Sequence, residues 1–299
     1  MTNRREFLQQ TGAGAAVLAA PVSWSTVAMA QDSLPTRLIP GTNQALPIVG
    51  LGNSRVFGDG DFNASRELIE IFRANGGAYI DCLYKSRFTV AEVVGDLAAA
   101  NDMFLGTYFL DDDETAMRKN IRRLLEISGK KQLDLIHAWP ESAVPNWDLF
   151  RKWKDEGLTK YIGISRHNSS YYEEMMKVMA TDTVDFVQVN YSPLETEADQ
   201  RIVPMAMDKG IAVNINRPFM NGDYFSLIAG HDLPAWAAEF DCETWAQFSL
   251  KFILSHPAVN CVLTETSNPE HVLDNIGAGF GKMPDEQTRQ RMVAHLESL

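Results

Sequence analysis

The chain has 299 residues, 45% of them hydrophobic and 22% charged, with a formal net charge of −12. That length suits one barrel or two small domains, and it is enough to bury a full core. The acidic balance excludes a nucleic-acid-binding surface, which needs clustered Lys and Arg to meet phosphate, and three cysteines are too few for a disulfide scaffold.

The first thirty residues read as a targeting segment. Asn3-Arg4-Arg5-Glu6-Phe7-Leu8 forms a twin-arginine n-region, residues 12–22 a mild apolar stretch, and Ala28-Met29-Ala30 a small-residue cleavage site. The apolar stretch is too short and too rich in Ala and Gly for a spanning helix. The expectation is therefore export by the twin-arginine machinery, cleavage after Ala30 and a periplasmic protein with no stable membrane anchor. Loss of Arg4, Arg5 and Glu6 leaves the mature chain one unit more negative.

From there, short apolar runs alternate with longer amphipathic ones. Strands are predicted over 47–52, 78–82, 103–109, 133–139, 161–165, 185–190, 211–216 and 260–264, each apolar as strands covered on both faces should be. Helices are predicted over 64–75, 89–100, 114–128, 146–156, 169–180, 197–209 and 243–255. Strand and helix in alternation, with eight strands, is the arithmetic of an α/β (β/α)8 TIM barrel in a single domain, residues 31–299. An open doubly wound sheet is disfavoured because no G-x-G-x-x-G follows the first strand. The acidic run Asp111-Asp112-Asp113-Glu114 opens a helix, where carboxylates complement the dipole. The irregular stretch 219–241 follows the seventh strand and is a candidate substrate lid.

Several segments in order resemble the aldo/keto reductases. Arg37-Leu38-Ile39-Pro40-Gly41-Thr42 with Leu46-Pro47-Ile48-Val49-Gly50-Leu51-Gly52 is similar to that family's N-terminal β-hairpin and first strand, and Tyr79-Ile80-Asp81 to the end of its second. Tyr161-Ile162-Gly163-Ile164-Ser165, Phe186-Val187-Gln188-Val189-Asn190-Tyr191 and Asn216-Arg217-Pro218-Phe219 look like strands five, six and seven. Thr266-Ser267-Asn268-Pro269-Glu270-His271-Val272, ending at Asp274-Asn275, resembles the cofactor-binding loop and last helix. The resemblance implies carbonyl reduction by hydride transfer from NADPH. It also implies a proton-donating tyrosine, tuned by a lysine and an aspartate, and a histidine that orients the substrate. A phenol of pKa about 10 gives up its proton near neutrality only when a neighbouring cation lowers the cost.

The chain departs from that set. Asp81 stands where the aspartate belongs, but the tyrosine position falls on Ser86 or Arg87, with Tyr84 two residues early. The lysine position, after Leu105-Gly106-Thr107, holds Tyr108. Aligned without a gap, the histidine position is Trp139, and His137 lies two residues earlier, inward-facing and about 6.6 Å deeper. The functional reading is a rewired site in which Asp81, Tyr108 and His137 converge, with Tyr84 or Tyr108 as acid on a carbonyl or alcohol substrate. The alternative is a catalytically inactive periplasmic barrel that binds a small ligand or partner at an aromatic mouth. A metal hydrolase is disfavoured: the chain has no H-x-H or H-E-x-x-H.

For the cofactor, Ser165 and Gln188 match the residues that hold the nicotinamide amide, Arg166 stands where an asparagine is common, Arg217 fits the pyrophosphate and Asn275 the adenine. The usual basic positions around the 2′-phosphate fall on Glu265 and His271. A carboxylate repels a phosphate dianion but can accept from a 2′-hydroxyl, so an NAD(P)H site here favours NADH over NADPH.

Overall fold

The computed structural model describes residues 33–83, 85–109, 113–181 and 183–299. The twin-arginine segment and Tyr84 lie outside the described residues. Residues 33–299 form one compact unit.

It opens with an antiparallel hairpin of β1 (Thr36–Leu38) and β2 (Ala45–Pro47). Eight parallel strands follow: β3 (Val49–Leu51), β4 (Tyr79–Cys82), β5 (Phe104–Tyr108), β6 (Leu133–Ala138), β7 (Thr159–Ser165), β8 (Phe186–Asn190), β9 (Ala212–Asn216) and β10 (Val259–Thr264). They close into a barrel in chain order, with β10 joined to both β9 and β3. All eight predicted strands are present, each within two residues of its expected ends.

Outside the barrel lie α1 (Arg55–Asp59), α2 (Phe62–Ala74), α3 (Ser86–Asp96), α4 (Glu114–Ser128), α5 (Pro140–Asp155), α6 (Tyr172–Met179), α7 (Ile202–Lys209), α8 (Asp223–Leu227), α9 (Trp245–Leu254), α10 (Pro269–Gly277) and α11 (Glu286–Glu297). Asp113 caps α4 by accepting from the Thr115 amide, which accounts for that part of the acidic run. The fifth helix begins six residues before its expected start: Pro140 suits the first helical position, and Pro145 falls inside the helix, where it forgoes one amide hydrogen bond. The stretch 219–241 is ordered as two short 3-10 turns around α8.

Inward-facing side chains follow strict period-two alternation. A lower layer of Tyr79, Phe104, Leu135, Tyr161, Phe186 and Ala212 is buried together with Ile39 and Leu46 of the hairpin, which plug the N-terminal end. Arg37 fastens that plug by donating to the carbonyls of Leu254, His256 and Val259. Two residues further along the strands, the same parity brings in Asp81, His137 and Gln188. Residues at strand ends, Tyr108 and Ser165 among them, then reach the C-terminal mouth. All three cysteines are free and buried. No helix among the described residues is long and apolar enough to cross a membrane.

Candidate active site

A cavity of about 330 Å³ opens at the C-terminal end of the barrel, where (β/α)8 enzymes carry their chemistry. Asp81, Tyr108, Ser165 and Gln188 all line it, together with Trp139, Arg217 and Glu265. Five of the site residues singled out from the sequence, Asp81, Tyr108, Ser165, Gln188 and Arg217, thus line one cavity.

Tyr108 is the hub. Its phenolic oxygen donates to Asp81 Oδ2 at 2.7 Å and accepts from Gln188 Nε2 at 2.6 Å, with Ser165 Oγ at 3.3 Å. A hydroxyl has one proton and two lone pairs, so with Asp81 ionised the single proton points down at the carboxylate. No lysine is among the described residues lining the cavity. Burial, and then the Asp81 charge, push the phenol well above its ordinary range. Burial also pushes the Asp81 carboxyl up to about 7, against hydrogen bonds from Tyr108 and Gln188.

His137 lies beneath these residues rather than in the cavity. It is fully buried, its ring stacks on Tyr108 at 5.0 Å between centroids, and its Nε2 is 3.9 Å from Asp81 Oδ1. Neither atom of that pair has a hydrogen-bond partner, and burial lowers the imidazole to about 3, so His137 is neutral. Two glycines make the packing feasible. A Cβ at Gly106 would stand 2.2 Å from Asp81 Oδ1, and one at Gly163 would stand 2.6 Å from His137 Nδ1. The expected convergence of Asp81, Tyr108 and His137 is therefore present, with Trp139 above them as cavity wall and His137 as floor. Ser86 is buried at the start of α3 and does not line the cavity.

The cavity continues sideways. A second one, about 320 Å³, shares Arg217, Asn221 and Glu265 with the first; a third, about 410 Å³, shares Phe219, Phe225 and Glu265 with the second and ends at Asn275. Together they form a groove from Tyr108 to Asn275. The stretch 219–241 supplies Phe219, Phe225 and Ile228 to its far part, so it covers the Asn275 side more than the Tyr108 side. Arg217, held at φ +50°, lines the middle, a strained backbone of the sort that clusters at binding sites.

A nicotinamide dinucleotide fits much of this. Gln188 Oε1 and Asn216 Oδ1 are buried acceptors without partners at the Tyr108 end, as a carboxamide requires. Arg217 sits mid-groove for a pyrophosphate, and Phe225, Trp245 and Asn275 line the cavity at the far end. Glu265 does not sit only at the far end, as counting from Asn275 implies; it borders all three cavities. Its carboxyl is held above the usual range by the groove walls, against the Asn53 backbone and the Arg217 charge. No group of His, Cys, Asp and Glu able to hold a metal occurs among the described residues.

Two residues escaped the sequence reading. His167 lines the cavity beside Arg166, and Asn216 lends an amide to it. Both keep the inward parity of their strands, His167 two residues after Ser165 and Asn216 four after Ala212, and that parity was the signal that could have found them.

The comparisons agree with the fold. The sequence model of the aldo/keto reductase family matches residues 49–294. A protein described as an aldo-keto reductase from Mycolicibacterium vanbaalenii is 26% identical over 260 residues, covering 82% of this chain and 86% of that one. Among solved structures, an aldo-keto reductase from Klebsiella pneumoniae in complex with NADPH superposes with a TM-score of 0.70 at 18% identity, over 87% of this chain and 93% of that one. The holo form of one from Bacillus halodurans gives 0.67 at 18% identity, over 88% and 96%. This chain belongs to the aldo/keto reductase family.

Proposed function

We propose that the protein is an NAD(P)-linked oxidoreductase acting on a carbonyl or alcohol, with Tyr108 as its acid in place of the family's tyrosine. The observation that carries this is the Asp81–Tyr108–Gln188 cluster at the closed end of a groove shaped for a dinucleotide. When bound, the nicotinamide supplies or accepts the hydride. The chain's own task is the proton. With Asp81 protonated, its carboxyl donates to the phenolic oxygen, Gln188 fills the other lone pair, and the Tyr108 proton is free to point into the cavity. As it passes to a substrate oxygen, Asp81 replaces it, and no phenolate forms. A carboxyl that titrates near 7 therefore does what an ammonium does elsewhere in the family. His137 packs the phenol from below.

Glu265 along the groove supports NADH over NADPH, since each further phosphate charge meets a carboxylate. The twin-arginine segment supports export to the periplasm in folded form.

The test is a titration of the mature protein with NADH and NADPH by tryptophan fluorescence, with a mass spectrum of any nucleotide that co-purifies. Micromolar binding and carbonyl reduction lost on Tyr108→Phe support the proposal. One observation favours a second reading, an inactive ligand-binding barrel: the phenol has no ammonium beside it and is a weaker acid than in water. Absence of binding at millimolar nucleotide would establish that reading instead.

A further inference from the structure

Arg166 follows directly on Ser165, whose side chain faces inward, so its own side chain leaves the barrel axis along the rim of the cavity. There its guanidinium lies over the rings of Trp139 and Tyr171, at 4.1 and 4.2 Å. Its Nη2 is bonded to Glu141. Its backbone is held at both ends, the amide donating to Gln188 O at 3.0 Å and the carbonyl accepting from Asn216 Nδ2 at 3.2 Å. The residue is only 8% exposed, yet it lines the cavity. A guanidinium offers five N–H donors in a rigid fork, and Glu141 uses one edge of it. Nε is buried without a partner. His167, half-buried on the same rim, is held below its usual range by burial and then by the Arg217 and Arg166 charges. The rim therefore holds a guanidinium fixed by two rings and Glu141, with one donor, Nε, unused.

We propose that this rim binds the carboxylate of the substrate, so that the preferred substrate is a small oxo acid. Its carbonyl lies at Tyr108 and its carboxylate lies on Arg166, with His167 beside it. Tyr108 and Arg166 line the same cavity of about 330 Å³, a space that suits a small molecule. A planar fork against two rings accepts a carboxylate edge-on and gives an ester or an amide much less. The carboxylate site stands on its own geometry; the placement of the carbonyl rests on the oxidoreductase reading.

The test uses pyruvate and methyl pyruvate on the nucleotide-free mature protein, read by intrinsic fluorescence, because Trp139 lies against the guanidinium. Saturable quenching by pyruvate and none by the ester is expected. Arg166→Gln should weaken pyruvate about 30-fold, the size of a lost charge-assisted hydrogen bond. Glu141→Gln should tighten it by freeing the fork, and this variant decides the matter if Arg166→Gln does not fold. Equal binding of acid and ester, or an affinity unmoved by either variant, overturns the proposal. Binding needs no turnover, so failure of the oxidoreductase reading leaves this outcome separately readable. In the loaded enzyme, the acid-to-ester ratio of kcat/KM should collapse in Arg166→Gln.

Discussion

The Tyr108 hydroxyl donates a hydrogen bond to Asp81 across 2.7 Å, with both groups almost wholly buried. The protonation of the carboxyl therefore decides which way the phenol points.

If Asp81 must be protonated for Tyr108 to serve substrate, carbonyl reduction is fastest below pH 7 and falls about tenfold per unit above it. Asp81→Asn keeps the fold and removes the titrating proton, so its profile should be flat and its rate lower. A pH profile of kcat/KM for both proteins checks this.

The same shift affects stability. The folded carboxyl sits near 7 and the unfolded one near 3.8. The neutral form is thus favoured in the native state, and the contribution is fully present below the unfolded value and lost as pH rises through about 7. A shift of that size amounts to a few kcal/mol at about 1.4 kcal/mol per unit. Denaturant melts from pH 4 to 8 should show wild type losing stability relative to Asp81→Asn.

Tyr108→Phe removes the transferable proton and keeps the ring stacked on His137. Reduction should drop by about 10² to 10⁴, while NADH binding stays within a factor of about 3 because the ring still packs. Steady-state kinetics with a fluorescence titration separate the two.

Glu265→Lys reverses a charge that borders the whole groove. NADPH should tighten relative to NADH by about tenfold, the scale of one partly screened charge contact. The ratio of the two dissociation constants is the measurement, and an unchanged ratio would sink the charge argument.

Gly106→Ala puts a methyl 2.2 Å from Asp81 Oδ1. The cost should be about 1–3 kcal/mol from overpacking, seen as a lower denaturation midpoint, with the pH profile displaced as the carboxyl moves.

The barrel was legible in the sequence because doubly covered strands leave short apolar runs and their inward residues alternate. Asp81, His137 and Gln188 could be assigned to one interior from parity alone. Tyr108 as the occupant of the lysine position followed from the spacing after Leu105-Gly106-Thr107. The bonds it makes did not, since these depend on how neighbouring strands are staggered. The contacts of Arg166 were hidden for a different reason. Past the last ladder bond a side chain is aimed by what it packs against, here Trp139, Tyr171 and Glu141, and those partners come from other segments of the chain. The role of Glu265 along the groove was only half legible, because counting from Asn275 gives a position on the chain and not a direction for its side chain.

The hairpin plug, with Ile39 and Leu46 in the barrel floor and Arg37 clamped to three carbonyls, turns the barrel into a blind well. Water and protons enter and leave by the mouth that the ligands use. On the oxidoreductase reading proposed above, filling that mouth would trap the proton on Asp81, and each turnover would run on the proton loaded beforehand. Acidity should then control how often the well is found ready and not how fast it works once occupied.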